Sequence, residues 1–305
     1  MEIITENKLP LYQPTAVAIG LFDGLHQGHL SLIEDIREKR GLLSLVYTFD
    51  SKPNHAAFKN IYTQKEKLDI FRQMKIDAVF TQTFDYAFSQ MTREEFIQRL
   101  VCDFRAKHIA VGFDFRFGKN AHGNAQFLEE QAQRYGYSVS ILPQISDHHE
   151  KISSSRIRSL ITLGDMEAAA RLLGRYYFVD GTIERGNHLG AKIGFPTANI
   201  STDKLLPQYG VYATIVEIDG KLYRSVTNVG IKPTIKDDDV PNIETFIFDF
   251  SGDVYDEKMR VYFIEKIRDE KTFPNIDALQ AEIAKNARQA EVILANLDVY
   301  KKHLV

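Results

Sequence analysis

No tryptophan occurs among the 305 residues, there is a single cysteine, and 38 basic against 41 acidic side chains leave a net charge of only -3. Each shortage removes a class of protein. A lone cysteine has no partner for an intrachain disulfide and no neighbour for a zinc site. Cys102, within the amphipathic stretch EEFIQRLVCDF, is expected to be a buried structural thiol. Without excess positive charge there is no bulk attraction for nucleic acid or an anionic membrane, so any phosphate must be held by a local site. No apolar run approaches the roughly 18 residues that cross a bilayer. The opening MEIITENKLPLY has neither the basic flank nor the apolar core of a secretory signal. The expectation is a cytoplasmic protein with small-molecule substrates, no nucleic acid, no membrane and no identified protein partner.

What is present is an ordinary globular composition, 44% hydrophobic and 26% charged, long enough for two domains. From Ala16 to Phe49 an apolar strand (AVAIG), a polar turn, a helix with Leu30, Ile33 and Ile36 on one side, and a second apolar strand (LSLVYTF) read as a βαβ unit in a buried parallel sheet. The alternation continues through a helix at 65–75, a strand at 78–83, a helix begun by Thr92 with Glu95 in a capping box, the strand HIAVGFDF, a helix closed by Gly136, the strand SVSIL and two short helices ending near Gly174. After Tyr176 the pattern changes to β-rich runs, with a hairpin turn at Asp219-Gly220 between VYATIVEI and LYRSVTNV. FIFDF and MRVYFIEKI add strands, and the segment Asp277 to Leu297, with apolar Leu279, Ile283, Ala287, Ala290 and Leu294, reads as one closing amphipathic helix. The expected fold is α/β plus all-β: a doubly wound, Rossmann-like domain over 1–175, then a small β-barrel with a C-terminal helix over 176–305.

GLFDGLHQGHL crosses from the first predicted strand into the first helix, where an open α/β sheet places its ligand crevice. Gly24 and Gly28 let backbone approach a ligand, and His26 and His29 can share a face as the helix begins. Phosphate oxygens suit these donors. A metal would need a further ligand that the local motif lacks, and a plain surface turn is the remaining reading.

GLFDGLHQGH resembles the HxGH signature of nucleotidylyl transferases, and with its GxFDG it is similar to the bacterial bifunctional riboflavin kinase/FMN adenylyltransferase family. VGFDFRFGKNAHGN at 111–124 and ISSSRIRSLI at 152–161 follow in that family's order. The resemblance implies catalytic His26, His29 and Arg158. It also implies ATP contacts from Gly20, Phe22, Asp23, Gly24, Gly28, Ser154 and Ser155, with Asp114, Arg116 and Phe117 bordering the flavin. Read from the residues alone, Phe113, Phe115 and Phe117 alternate on one core face of a strand.

GTIERGNHLGAKIGFPTANI at 181–200 resembles the riboflavin kinase signature, and no Walker A pattern occurs. The resemblance implies a nucleotide flap with Gly186, Gly190 and Gly194, and Thr197 and Asn199 holding Mg2+ and ATP phosphates. Hard oxygen donors suit that ion. Glu244, in NIETFIFDF, stands at the family's catalytic carboxylate. An isolated Glu at a strand end is otherwise usually solvated, as is the Asp237–Asp239 tract. GVYATIVEIDG, NVGIKPTI and IRDEKTFPNIDAL extend the likeness from about Ala16 to Ala290. Departures are Lys52, Ser155, Ala191 and Phe246, where the family commonly has His, Thr, Arg and His. The implied activity makes FMN from riboflavin and FAD from FMN with ATP. One alternative is FMN adenylyltransferase alone with a flavin-binding or regulatory C-terminal module. Another is a nucleotidylyl transferase for a pantetheine or nicotinamide phosphate, which leaves PTAN unexplained.

Overall fold

The computed structural model describes residues 1–50, 59–185, 194–232, 240–252, 254–302 and Leu304. It divides into two compact units, Met1–Ser154 and Ser155–Val305.

The strands of the first unit are β1 (Glu2–Ile4), β2 (Thr15–Ile19), β3 (Leu43–Phe49), β4 (Ala78–Gln82), β5 (Ala106–Gly112), β6 (Arg116–Phe117), β7 (Gly123–Asn124), β8 (Ser138–Leu142), β9 (Ser146–Asp147) and β10 (Glu150–Lys151). Its helices are α1 (Gln27–Arg37), α2 (Gln64–Gln73), α3 (Tyr86–Gln90), α4 (Arg93–Cys102) and α5 (Ala125–Tyr135). Six strands form one parallel sheet in the order β1-β4-β3-β2-β5-β8. Every residue of β2 is buried, which is why the strand reads as an unbroken apolar run. Capping boxes at Thr63/Glu66 and Thr92/Glu95 start α2 and α4, and Gly136 ends α5 in the left-handed conformation that its missing Cβ permits.

Two readings change, and one strand carries no sequence signal. β1, too short and exposed to carry a pattern, pairs with β4 at the sheet edge. Cys102 is exposed rather than buried: α4 turns Phe96, Ile97 and Leu100 inward, and two residues beyond Leu100 the helix faces solvent. β5 stops at Gly112, and Phe115 N–H bonds the Gly112 carbonyl at 3.0 Å, so the three phenylalanines do not share a strand face. Phe117 is buried, whereas Phe113 is 45% exposed.

α1 is held to the sheet by a polar cluster. The buried His108 of β5 meets Asp35 of α1 through Nε2 at 2.6 Å and Ser138 of β8 through Nδ1 at 2.8 Å. Ser140 donates to the other Asp35 oxygen at 3.0 Å, and Lys39 lies 3.0 Å from it. Burial pulls the His108 imidazole below its usual pKa despite the Asp35 carboxylate. Burial alone would raise Asp35, but hydrogen bonds from His108, Lys39 and Ser140 outweigh it and hold the carboxyl low.

α6 (Ser154–Leu163) begins at the last residue of the first unit, and the second unit contains the rest of it with α7 (Met166–Leu173) and strands β11 (Tyr177–Thr182), β12 (Thr197–Ile200), β13 (Gly210–Ile218), β14 (Lys221–Lys232), β15 (Val240–Ile247) and β16 (Lys258–Asp269). The strands form an antiparallel sheet in the order β11-β16-β13-β14-β15-β12. It curls into a half-barrel, and among the described residues its edges meet at a single bridge, Glu184 to Asn199. Asp219 and Gly220, both at positive φ, turn the β13-β14 hairpin. Inside, the fully buried hydroxyls of Thr214, Ser225, Thr227 and Thr245 bond one another across three strands at 2.7 to 2.9 Å, so none is left costly and unsatisfied.

α8 (Ile276–Ile293) packs on β13, β14 and β16, with Arg268 Nε donating to the buried Asn286 at 2.9 Å. The single closing helix expected from the sequence stops at Leu294, and a short α9 (Leu297–Lys301) follows from Asn296. FIFDF is only partly strand: β15 begins at Val240, which moves Glu244 from a strand end to mid-strand.

Candidate active sites

The sheet order makes β2 and β5 neighbours, with the chain winding outward through β3 and β4 on one side and through β8 on the other. A crevice opens at the carboxyl ends of two strands where such winding reverses. GLFDGLHQGH leaves the end of β2 and FDFRFG leaves the end of β5, so two segments singled out from sequence lie at that switch point.

The loop after β2 is tightly wound. Phe22 (φ 50°), Gly24 (φ 89°) and Leu25 (φ 44°) are left-handed, and burial of the Phe22 and Leu25 side chains holds a conformation that is unfavourable for residues with a Cβ. The turn delivers His26 to the N-cap of α1 and His29 to its first turn. Their rings stack with centroids 3.7 Å apart, and Phe22 backs His29 at 5.2 Å. A Cβ on Gly28 would lie 3.2 Å from His26 Cε1, so glycine lets that imidazole rest over the helix start. A Cβ on Gly20 would touch the Phe22 ring at 3.4 Å, an ordinary contact. The first amides of α1 and its dipole give the same place a positive potential.

Asp23 joins this loop to two others. Its buried carboxylate accepts the Ile61 amide at 3.1 Å, and its carbonyl accepts the Ser154 hydroxyl at 2.6 Å. ISSSRIR is thereby tied at its first helical residue to GLFDG. Ser155 follows, and Arg158 lies one turn further along α6.

Beyond β5, Asp114 pairs with Lys151 at 2.5 Å, and that ammonium sits 4.9 Å from the Phe113 ring centre. Arg116 is exposed, while Phe117 packs into the core against Phe96 at 5.2 Å. A Cβ on Gly123, opposite Phe117 on β7, would lie 2.7 Å from that ring. Lys151 was not singled out from sequence, since no local pattern marks a cation 37 residues from its carboxylate.

In the second unit, Asn199 stands directly opposite Glu244 on paired β12 and β15, with Asn228 opposite Glu244 on β14. Asn242, two residues before Glu244 and only 5% exposed, donates through Nδ2 to Glu244 Oε1 at 2.8 Å and to Asn199 Oδ1 at 3.3 Å. Sequence reading missed Asn242 and Asn228, although two-residue periodicity around Glu244 places Asn242 on its face. Thr197 lies opposite Phe246, whose ring meets Phe195 at 5.1 Å and Phe248 at 5.7 Å. The departure at Phe246 thus extends an aromatic cluster. Gly194 is an exposed turn residue at φ 83°. Gly186, Gly190, Ala191, Lys52 and the Asp237–Asp239 tract lie outside the described residues.

A doubly wound sheet with its glycine- and histidine-bearing loop at the switch point, followed by an amide- and carboxylate-lined half-barrel, defines a two-unit, nucleotide-dependent transferase. Residues 9–156 match the FAD synthetase family and residues 173–294 the riboflavin kinase family. Bifunctional riboflavin kinase/FMN adenylyltransferases from Bacillus subtilis and Haemophilus influenzae are 31% and 34% identical to the chain, each over 93% of it and over 93% and 96% of their own lengths. The Escherichia coli K12 protein of the same name is 32% identical over 88% of this chain and 90% of its own. A crystal structure named as a macrolide-efflux protein from Streptococcus pneumoniae superimposes with a TM-score of 0.86 at 30% identity, over 95% of this chain and 99% of that one. No described helix here is long and apolar enough to cross a membrane. The chain belongs to the bifunctional riboflavin kinase/FMN adenylyltransferase family. Both catalytic domains are present, so an adenylyltransferase with a merely regulatory second module is not favoured.

Proposed function

We propose that this chain phosphorylates riboflavin to FMN and adenylylates FMN to FAD, with ATP as co-substrate in both steps, the first activity residing in 176–305 and the second in 1–175, in the cytoplasm. The observation carrying the double assignment is that each unit has its own constellation: stacked His26 and His29 at the start of α1, and Asn199 opposite Glu244 across β12 and β15.

In adenylyl transfer an FMN phosphate oxygen attacks the α-phosphorus of ATP in line, and the bond to the departing pyrophosphate breaks. The nucleophile is already an anion, so no base is needed. Placement and charge neutralisation supply the catalysis. His26, His29 and Arg158 are assigned to the phosphate oxygens. Gly20, Phe22, Asp23, Gly24 and Gly28 shape the loop, and Ser154 and Ser155 orient phosphates from the second segment. Asp114 and Arg116 are assigned to the flavin side, with Phe117 supporting them from the core.

Riboflavin phosphorylation starts from a neutral ribityl hydroxyl, which must lose a proton as its oxygen attacks the γ-phosphorus and ADP leaves. Glu244 is assigned as the acceptor of that proton. Among the described residues no trio of His, Cys, Asp or Glu forms a metal cage. The hydroxyl of Thr197 and the amide oxygen of Asn199 are hard donors that fit a magnesium ion held mainly by nucleotide phosphates and water. Those two residues would hold it, and it would neutralise phosphate charge during transfer.

Purified protein with riboflavin, ATP and Mg2+ should yield FMN and then FAD, resolved by chromatography. FAD from supplied FMN without FMN from riboflavin would sink the double assignment.

A further inference from the structure

Glu244 rises from the middle of a strand on a side chain with three rotatable bonds, and a proton acceptor is useful only if one oxygen stays aimed at the hydroxyl it serves. Its sole side-chain hydrogen bond among the described residues comes from Asn242 Nδ2 to Oε1, at 2.8 Å. Asn242 is itself constrained: it is 5% exposed, and its Nδ2 also reaches Asn199 Oδ1 at 3.3 Å. The two acceptors fix which end of the Asn242 amide is the nitrogen, because an oxygen there would face both a carboxylate and another amide oxygen.

We propose that Asn242 is the positioning residue of the kinase site: by occupying Glu244 Oε1 it fixes the carboxylate plane and reserves Oε2 for the ribityl hydroxyl. This rests on the assignment of Glu244 as proton acceptor. Asn242 contributes no proton chemistry. Its bond restricts rotation of the carboxylate, and loss of such placement commonly costs about 10²-fold in rate.

The test is a double-mutant cycle in the full-length protein, measuring FMN from riboflavin, with FAD from supplied FMN and the thermal unfolding profile as controls for folding. Asn242→Ala should lower kinase kcat about 10- to 100-fold while KM for riboflavin and ATP changes less than about threefold and FAD synthesis is retained. Asn242→Asp, equal in shape but lacking the donor, should lose at least as much. In the Glu244→Gln background, Asn242→Ala should cost clearly less than in the wild type, because its part through the carboxylate has nothing left to act on and only its longer bond to Asn199 remains. Full additivity, or wild-type turnover in Asn242→Asp, would overturn the positioning role while leaving Glu244 as base. Wild-type turnover in Glu244→Gln would instead overturn the assignment of the base itself, and the positioning role with it.

Discussion

His29 and Glu244 face different demands, and their replacement should separate the two reactions. In the proposed adenylylation His29 is assigned to phosphate oxygens whose charge must be neutralised, so His29→Ala should slow FAD formation from FMN by about 10²- to 10³-fold and leave riboflavin phosphorylation within about twofold. Glu244→Gln keeps shape and removes the proposed base, and should do the reverse by about 10²- to 10⁴-fold. Product-resolved initial rates decide both, and equal loss of both activities in either variant would point to misfolding. Smaller consequences follow from contact alone. The Phe117 ring lies 2.7 Å from where a Cβ on Gly123 would stand, so Gly123→Ala should destabilise the first unit by about 1–3 kcal/mol through overpacking, read as a lowered unfolding temperature.

At the scale of an element, α1 presents its N-terminus at the switch point and is moored further along by Asp35 to His108 of β5 and Ser140 of β8. This mooring is sensitive to acid. The folded pKa of His108 is lowered by burial, so below the ordinary histidine value of about 6.5 the unfolded chain takes up a proton that the folded chain resists, and stability falls as pH falls. The depressed Asp35 carboxyl acts in the same direction at lower pH: its contribution is present above the usual aspartate range and is lost as pH drops through the folded value. Calorimetry between pH 7.5 and 5.5 should give a falling first-unit midpoint. In His108→Gln the midpoint should be lower overall but less dependent on pH. An unchanged slope would remove His108 as the cause.

At the scale of the molecule, Asn199, Asn242 and Glu244 belong to the second unit, and His26 and His29 to the first. FMN is the product of one reaction and the substrate of the other. An equimolar mixture of His29→Ala and Glu244→Gln, with riboflavin and ATP, should therefore make FAD although neither variant alone does so efficiently. No FAD from the mixture would count against independent sites.

Periodicity made most elements legible: the buried βαβ run, two capping boxes, the Gly136 cap and the Asp219-Gly220 hairpin each follow from side-chain spacing or a local backbone requirement. β1 was not legible because three residues carry no period, and Cys102 was misjudged because an amphipathic stretch does not say where its apolar stripe ends. The glycine-histidine loop could be singled out because close backbone approach and clustered donors are contiguous in the chain, whereas PTAN was marked only by its resemblance to the riboflavin kinase signature.

The sequence by itself determined the order of elements, the change from α/β to β-rich chain and the identity of the chemical groups, since all three rest on local spacing and composition. Only the tertiary structure decided that the segments after β2 and β5 share one switch point, that Ser154 bonds the Asp23 carbonyl, and that Asn242 connects Asn199 with Glu244. Strand order and register bring these groups together, and both are set by which apolar faces are buried against one another across long stretches of chain.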